Sequence, residues 1–299
     1  MTINTAEATT SANPAALAED VGNIVEMEHV NVTVPDQILA TWFYVVGLGF
    51  TRDPYMNVTP NNIWVNVGEQ EFHLPTRGPQ VIPGHVGLVV PELESLKQRL
   101  SSVEAPLAGT KFAWSDKGDY VEATCPWGNI FHCYAPGAEF GDMEIGIPYV
   151  EFLVKPGAAE GIARFYREIL ETDASVSTDG GAPVATVSVG PGQVIRFRET
   201  SEPLPEYPGH HIAVYVANMS RSYTFLEQRG LIMEAIRGHQ YRFKDIVDPE
   251  TGEVVAQLEH EVRGLKHTMY GRPFVNRNPG QIQQGYHRGS DTFHPALVN

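Results

Sequence analysis

The sequence predicts an α+β protein of four successive βαβββ modules, grouped as two domains with cupped, mixed β-sheets. Three observations predict it. Four segments open with a short β-patterned run, continue with apolar residues at helical spacing, and then return to alternating runs bounded by turn residues. One interval recurs: 14 residues separate His29 from Phe43, Glu151 from Phe165 and His211 from Phe225, and Arg99 stands at the same offset from His85. The chain has 299 residues, 42% of them hydrophobic, which is enough for two buried cores.

The elements follow in order. The opening strands are 28–34 (EHVNVTV), 85–90 (HVGLVV), 150–154 (VEFLV) and 211–216 (HIAVYV). The helices after them span about 37–46, 93–100, 158–170 and 220–229. Further strands are expected at 63–67 and 71–74, at 120–124 and 130–134, at 185–189 and 194–197, and at 241–247 and 254–261. The modules are thus 24–75, 84–136, 147–199 and 209–262, with a hinge at 137–146. Because the linkers are short, modules are expected to pair in sequence, giving domains at 23–136 and 147–265. The alternative is crosswise pairing of first with fourth and second with third. Residues 1–22 read as a disordered lead-in and 266–299 as an arm or tail.

Composition excludes several functions. A formal net charge of −15 argues against a nucleic-acid groove, which needs clustered Lys and Arg. No apolar run approaches the roughly 20 residues that span a bilayer. The two cysteines, Cys125 and Cys133, make neither a disulfide framework nor a C-x-x-C site and read as inert strand residues. The start is neither basic nor apolar enough for a secretory signal, so a cytoplasmic protein is expected. Its expected partner is a small-molecule substrate, and a homo-oligomer is left open.

Residues two apart on a strand share a face, so ligands from several strands converge inside a cup. Under sequential pairing the first cup would hold His29, His73, His85 and His132, and the second Glu151, His211 and Glu259, with Glu261 on the same strand face. Imidazoles and carboxylates are suitable ligands for Fe(II), Mn(II), Ni(II) or Zn(II). Crosswise pairing would instead join His29 and His73 to His211 and Glu259.

The strand openings, the helix segment FYVVGLGF and the turn Cys125-Pro126-Trp127-Gly128-Asn129 resemble the vicinal oxygen chelate superfamily over about 24–262. That group includes glyoxalase I, bleomycin- and fosfomycin-resistance proteins and type I extradiol dioxygenases. The resemblance implies two glyoxalase-like domains and metal ligands on the first and last strands of modules. The family's first-strand histidines match His29 and His85, its late glutamates fall on His73 and His132, and its second-half ligands fall on Glu151, His211 and Glu259. The turn from Asp248 to Gly252 resembles the family's D-P-x-G turn with one extra residue. His239 stands before it much as a histidine beside the metal site does in the extradiol enzymes, with Tyr241 nearby.

The resemblance therefore implies a divalent-metal enzyme acting on a small oxygenated organic molecule. Fe(II) is the first choice of metal, with Mn, Ni and Zn as alternatives. A ring-cleaving dioxygenase with His239 and Tyr241 as catalytic residues comes first. A glyoxalase-like isomerase or lyase, or a metal-free binding protein, is the alternative.

Overall fold

The computed structural model describes residues 21–56 and 61–276. The lead-in 1–22 and the part of the arm beyond residue 276 thus fall almost entirely outside the described residues. Four βαβββ modules are present, as the 14-residue interval implied. Module 1 holds β1 (Ile24–Asn31), α1 (Gln37–Ala40) continuing as a π-helical segment (Thr41–Gly47), β2 (Thr51–Arg52), β3 (Asn62–Val67) and β4 (Gln70–Pro75). Module 2 holds β5 (Gly84–Val89), α2 (Leu93–Ser102), β6 (Ala113–Asp116), β7 (Val121–Thr124) and β8 (Ile130–Tyr134). Module 3 holds β9 (Gly146–Val154), α3 (Ala159–Glu168), β10 (Ala174–Asp179), β11 (Ala182–Gly190) and β12 (Gln193–Glu199). Module 4 holds β13 (His211–Val216), α4 (Ser220–Gln228), β14 (Ile232–Arg237), β15 (Gln240–Val247) and β16 (Val254–Gly264).

Local chemistry explains several boundaries. Asp36 caps α1, its Oδ1 accepting from the backbone N–H groups of Ile38 (2.7 Å) and Leu39 (3.0 Å). At α3 the cap comes from another element: Glu199 on β12 accepts from the Ala159 N–H at 2.9 Å. The second strand of each module escaped the pattern because it is an edge strand. β2 has only two residues, and β10 and β14 are largely exposed, so none of them alternates cleanly.

The strands form two eight-stranded sheets, ordered β14-β15-β16-β13-β1-β4-β3-β2 and β10-β11-β12-β9-β5-β8-β7-β6. Modules 1 and 4 therefore share one sheet, here the terminal sheet, and modules 2 and 3 share the other, the central sheet. This corrects the expected sequential domains 23–136 and 147–265. Short linkers do not hold the chain in one sheet, because an extended chain reaches about 3.3 Å per residue. Segment 76–83 crosses between the sheets: Arg77 N–H donates to Val34 O and Gln80 N–H to Thr33 O, while Ile82 N–H donates to Asn129 Oδ1 in module 2. Only the hinge keeps its two modules together, returning the chain so that β9 lies antiparallel to β5.

Sequential modules meet on the other side of the sheets, under the helices. Phe43 of the π-helical segment packs against Phe131 of β8 (5.5 Å), and Phe165 of α3 against Phe243 of β15 (5.7 Å). The hydrophobic cores therefore join modules 1 with 2 and 3 with 4, whereas the helix-free faces join 1 with 4 and 2 with 3. Gln193 links the sheets, accepting from Met27 N–H and donating to Met27 O, both at 3.1 Å. Among the described residues no helix is long and apolar enough to cross a membrane.

Candidate metal centre

Register makes the four modules comparable residue by residue. His29 faces Glu71, His85 faces Ile130, Glu151 faces Arg196 and His211 faces Glu259. Two residues further, Asn31 faces His73, Gly87 faces His132, Leu153 faces Arg198 and Ala213 faces Glu261. The equivalent sets are therefore His29, His73, His211 and Glu261 on the terminal sheet, and His85, His132, Glu151 and Arg198 on the central sheet. Glu261, rather than the expected Glu259, is the counterpart of His73.

The terminal set converges. Strands β4 and β13 are separated by β1, about 9.6 Å in a flat sheet. The rings of His73 and His211 are only 6.4 Å apart, so the sheet curls into a cup around them. His29, His73 and His211 each offer one ring nitrogen, all within 4.8 Å of one another. His29 Nε2 and His211 Nε2 are 3.4 Å apart.

The surroundings prepare these rings as neutral donors. A register shift between Met27 and His29 lets Glu28 reach the same side as its neighbour, as bulges do where a side chain is re-aimed. His29 Nδ1–H donates to Glu28 Oε2 at 2.9 Å, which leaves Nε2 unprotonated and facing His211 Nε2. Glu28 also accepts from Tyr215 Oη (2.8 Å) and pairs with Arg263. The Asn31 amide lies 2.7 Å from His73 Nδ1, while His73 Nε2 is buried without a hydrogen-bond partner. Trp64 stacks on the His73 ring at 3.8 Å and 12°. Burial and the charge of Arg263 hold His29 well below its ordinary pKa, and the same causes push His73 down to about 3. Burial and the nearby His29 depress His211.

Carboxylates and guanidiniums ring the histidines. Glu259 and Glu261 lie 3.8 and 3.7 Å from opposite nitrogens of His211. Arg242 pairs with both, and Arg263 pairs with Glu261 and Glu28. Burial would raise the Glu261 carboxyl, but Arg263, His29 and Arg242 hold it below the usual range. Arg272 enters from the segment after β16 and pairs with Asp53 (2.9 Å) and Glu71 (2.7 Å). Burial still pushes Glu71 up to about 8 despite Arg272. With Glu71 protonated near neutrality, four other carboxyl groups face three guanidiniums around the three imidazoles.

The central set is differently made. His85 and His132 lie against each other at 3.9 Å, and His85 Nδ1 is 3.9 Å from Glu151. Glu151 is held by Arg198 (2.8 Å) and Arg196 (3.2 Å). The guanidinium of Arg198 stands where the terminal cup has Glu261, and it occupies the carboxylate that would serve as a ligand. The expected grouping of His85 and His132 with His29 and His73, and of Glu151 with His211, is therefore corrected by the crosswise sheets.

Two further expectations change. His239 sits at φ 66 in the exposed turn between β14 and β15, and Tyr241 is fully buried with its hydroxyl donating to Ser222 Oγ at 2.7 Å. Alternation sends Arg242 into the cup and Tyr241 under α4, so the pair cannot act together there. Glu28, Arg263 and Arg272 were not anticipated as site residues, because a bulge, a buried ion pair and an arm returning to module 1 leave no spacing signal. Cys125 and Cys133 are free and buried, and burial pushes Cys133 up to about 12.

No family model matches the chain, and no curated protein matches it in sequence. Solved structures do match. Glyoxalase I from Zea mays is 14% identical, covering 80% of this chain and 92% of its own at TM-score 0.56. A mutant form of the same enzyme is 15% identical with the same coverage and TM-score 0.56. A putative dioxygenase from Bacillus subtilis subsp. subtilis str. 168 is 14% identical, covering 81% and 86% at TM-score 0.51. With four βαβββ modules, two mixed eight-stranded sheets and these neighbours, the chain has the fold of the vicinal oxygen chelate superfamily.

Proposed function

We propose that the terminal cup is a divalent-metal centre with His29, His73 and His211 as its ligands, and that the protein is a metal-dependent enzyme acting on a small organic molecule with neighbouring oxygens. The observation that carries this reading is the 3.4 Å separation of His29 Nε2 and His211 Nε2. Two nitrogens each about 2.1 Å from one ion at a tetrahedral angle lie about 3.4 Å apart. The unpartnered His73 Nε2 supports it, since the Asn31 amide turned by half a rotation would accept from Nδ1–H and leave Nε2 as a donor atom. So does the one carboxyl group left over beyond the three guanidiniums, which favours a bound cation. Imidazole donors suit Fe(II), Zn(II) and Ni(II), with Fe(II) the first choice.

The metal would supply Lewis acidity toward the substrate's paired oxygens. The chain's own groups have distinct tasks. Glu28 orients His29 and fixes its tautomer. Arg242 and Arg263 keep Glu261 ionised, so it serves as a hydrogen-bond acceptor rather than a base. Glu259, the less buried of the two carboxylates beside His211, is the group placed to carry a proton. Ring cleavage loses His239 and Tyr241 as its residue-level support, which brings the glyoxalase-like isomerase or lyase level with it. Elemental analysis of the purified protein tests the centre. One divalent ion per chain is expected, lost in His29→Ala and His211→Ala, and no bound ion with unchanged affinity in both variants would overturn it. Oxygen uptake on catechol-like substrates then separates the two chemistries.

A further inference from the structure

We propose that the helix-free face of the central sheet is a metal-independent binding site for a neutral, planar, hydroxylated aromatic molecule. It occupies the place equivalent to the terminal cup, but every feature that suits that cup to an ion is replaced. Arg198 holds Glu151, and Arg196 and Arg198 both pair with Asp179 at 2.5 Å. Lys117 likewise answers Glu122 at 3.3 Å. Three cations thus meet three carboxylates, and a charged ligand would have to break an existing pair. Burial also holds both imidazoles neutral, His85 at about 4.

What remains is a partly exposed aromatic surface. His132 lies between His85 (3.9 Å) and Tyr120 (4.5 Å), tilted about equally to each, and Tyr120 continues to Tyr134 at 5.3 Å. The side chains of His85 and His132 are each 17% exposed, against 0% for His29. A flat ring stacked on such a surface removes the most apolar area of both partners from water. The hydroxyl preference comes from the hydrogen bonds beneath. With His85 Nδ1–H toward Glu151, Tyr149 Oη donates to His85 Nε2 (3.1 Å) and accepts from Tyr134 Oη (3.0 Å). The Tyr134 oxygen keeps its lone pairs and accepts from a ligand hydroxyl.

The test is calorimetric titration of phenol, toluene and benzoate into the full chain after dialysis against EDTA, with and without added Zn(II). Phenol is expected to bind in both conditions, more tightly than toluene or benzoate. Tyr120→Ala, a change at a partly exposed residue, is expected to weaken it about tenfold or more. Tyr134→Phe should weaken phenol about tenfold and toluene little, the size of one lost hydrogen bond. His73→Ala should leave all three unchanged. Absence of phenol binding, binding lost in His73→Ala but kept in Tyr120→Ala, or benzoate binding as tightly as phenol would each overturn the proposal. The metal centre proposed above stands or falls separately, on ion content.

Discussion

The two cups are built from the same module and register, yet they are opposite environments. The terminal cup buries three imidazoles and leaves carboxyl groups in excess. The central cup exposes two imidazoles and pairs off its charges. The difference turns on the last strand of one module in each sheet: Glu261 in the terminal sheet and Arg198 in the central one hold equivalent places. A carboxylate there takes up Arg242 and Arg263 beside the three imidazoles, whereas a guanidinium pairs with Glu151, the residue that stands in the place of His211. The fold supplies a meeting point of four strands, and single side chains decide what can meet there.

That contrast can be broken at several points. The largest effect is expected from His29→Ala and His211→Ala, each lowering metal affinity by more than about 100-fold, beyond the 10–100-fold cost of losing an outer partner. His85→Ala in the central cup should change it little, and competition titration with a chromophoric chelator measures all three. Next comes Arg272→Ala. It strands Asp53 and Glu71 in the interior and should cost about 3–5 kcal/mol in urea denaturation.

Acid should act on buried histidines outside both cups. His210 and His260 are neutral and buried, each with a pKa pushed down to about 4 by burial. The unfolded chain binds their protons from about pH 6.5 downward and the folded chain does not. Stability therefore falls as pH drops from about 6.5 toward 4, by about 1.4 kcal/mol per unit for each group, and is unaffected by them above 6.5. Denaturation midpoints at pH 7, 6 and 5 read this, and a flat profile would sink it.

Glu28→Gln is a finer probe of the terminal cup, expected to weaken metal binding about 10–100-fold with the fold intact by circular dichroism. The smallest effect sharpens the central cup. A methyl on Gly87 would run into the Tyr149 ring, so Gly87→Ala should cost about 1–3 kcal/mol and release Tyr149 from His85. The metal affinity of the terminal cup should not follow.

How far the sequence foretold this can be followed through particular residues. The 14-residue interval is a property of one strand and one helix, so it located His29, His85, Glu151 and His211 correctly as equivalents. Which two modules share a cup depends on where the chain goes after Pro75 and Thr200, and neither linker encodes that in its length. Glu261 was placed on the right face but ranked below Glu259, because only the pairing of β13 with β16 shows which of them mirrors His73. His239 matched by its place before a turn, and a turn residue is where alternation no longer says which way a side chain points. Arg272 was noted as part of an arm, but its contact with Glu71 spans the whole fold.

The crosswise pairing has a consequence for synthesis. His29 and His211 are 182 residues apart, so they meet only after module 4 has left the ribosome. The central cup needs nothing beyond Glu199 and can close while the chain is still growing. The terminal cup joins the residues of longest sequence range, and contacts of that range are slow to form. A chain cut before module 4 carries His29 and His73 without their third partner, and its β1 edge has no neighbour to pair with. Under the proposed metal centre, ion content distinguishes complete chains from fragments.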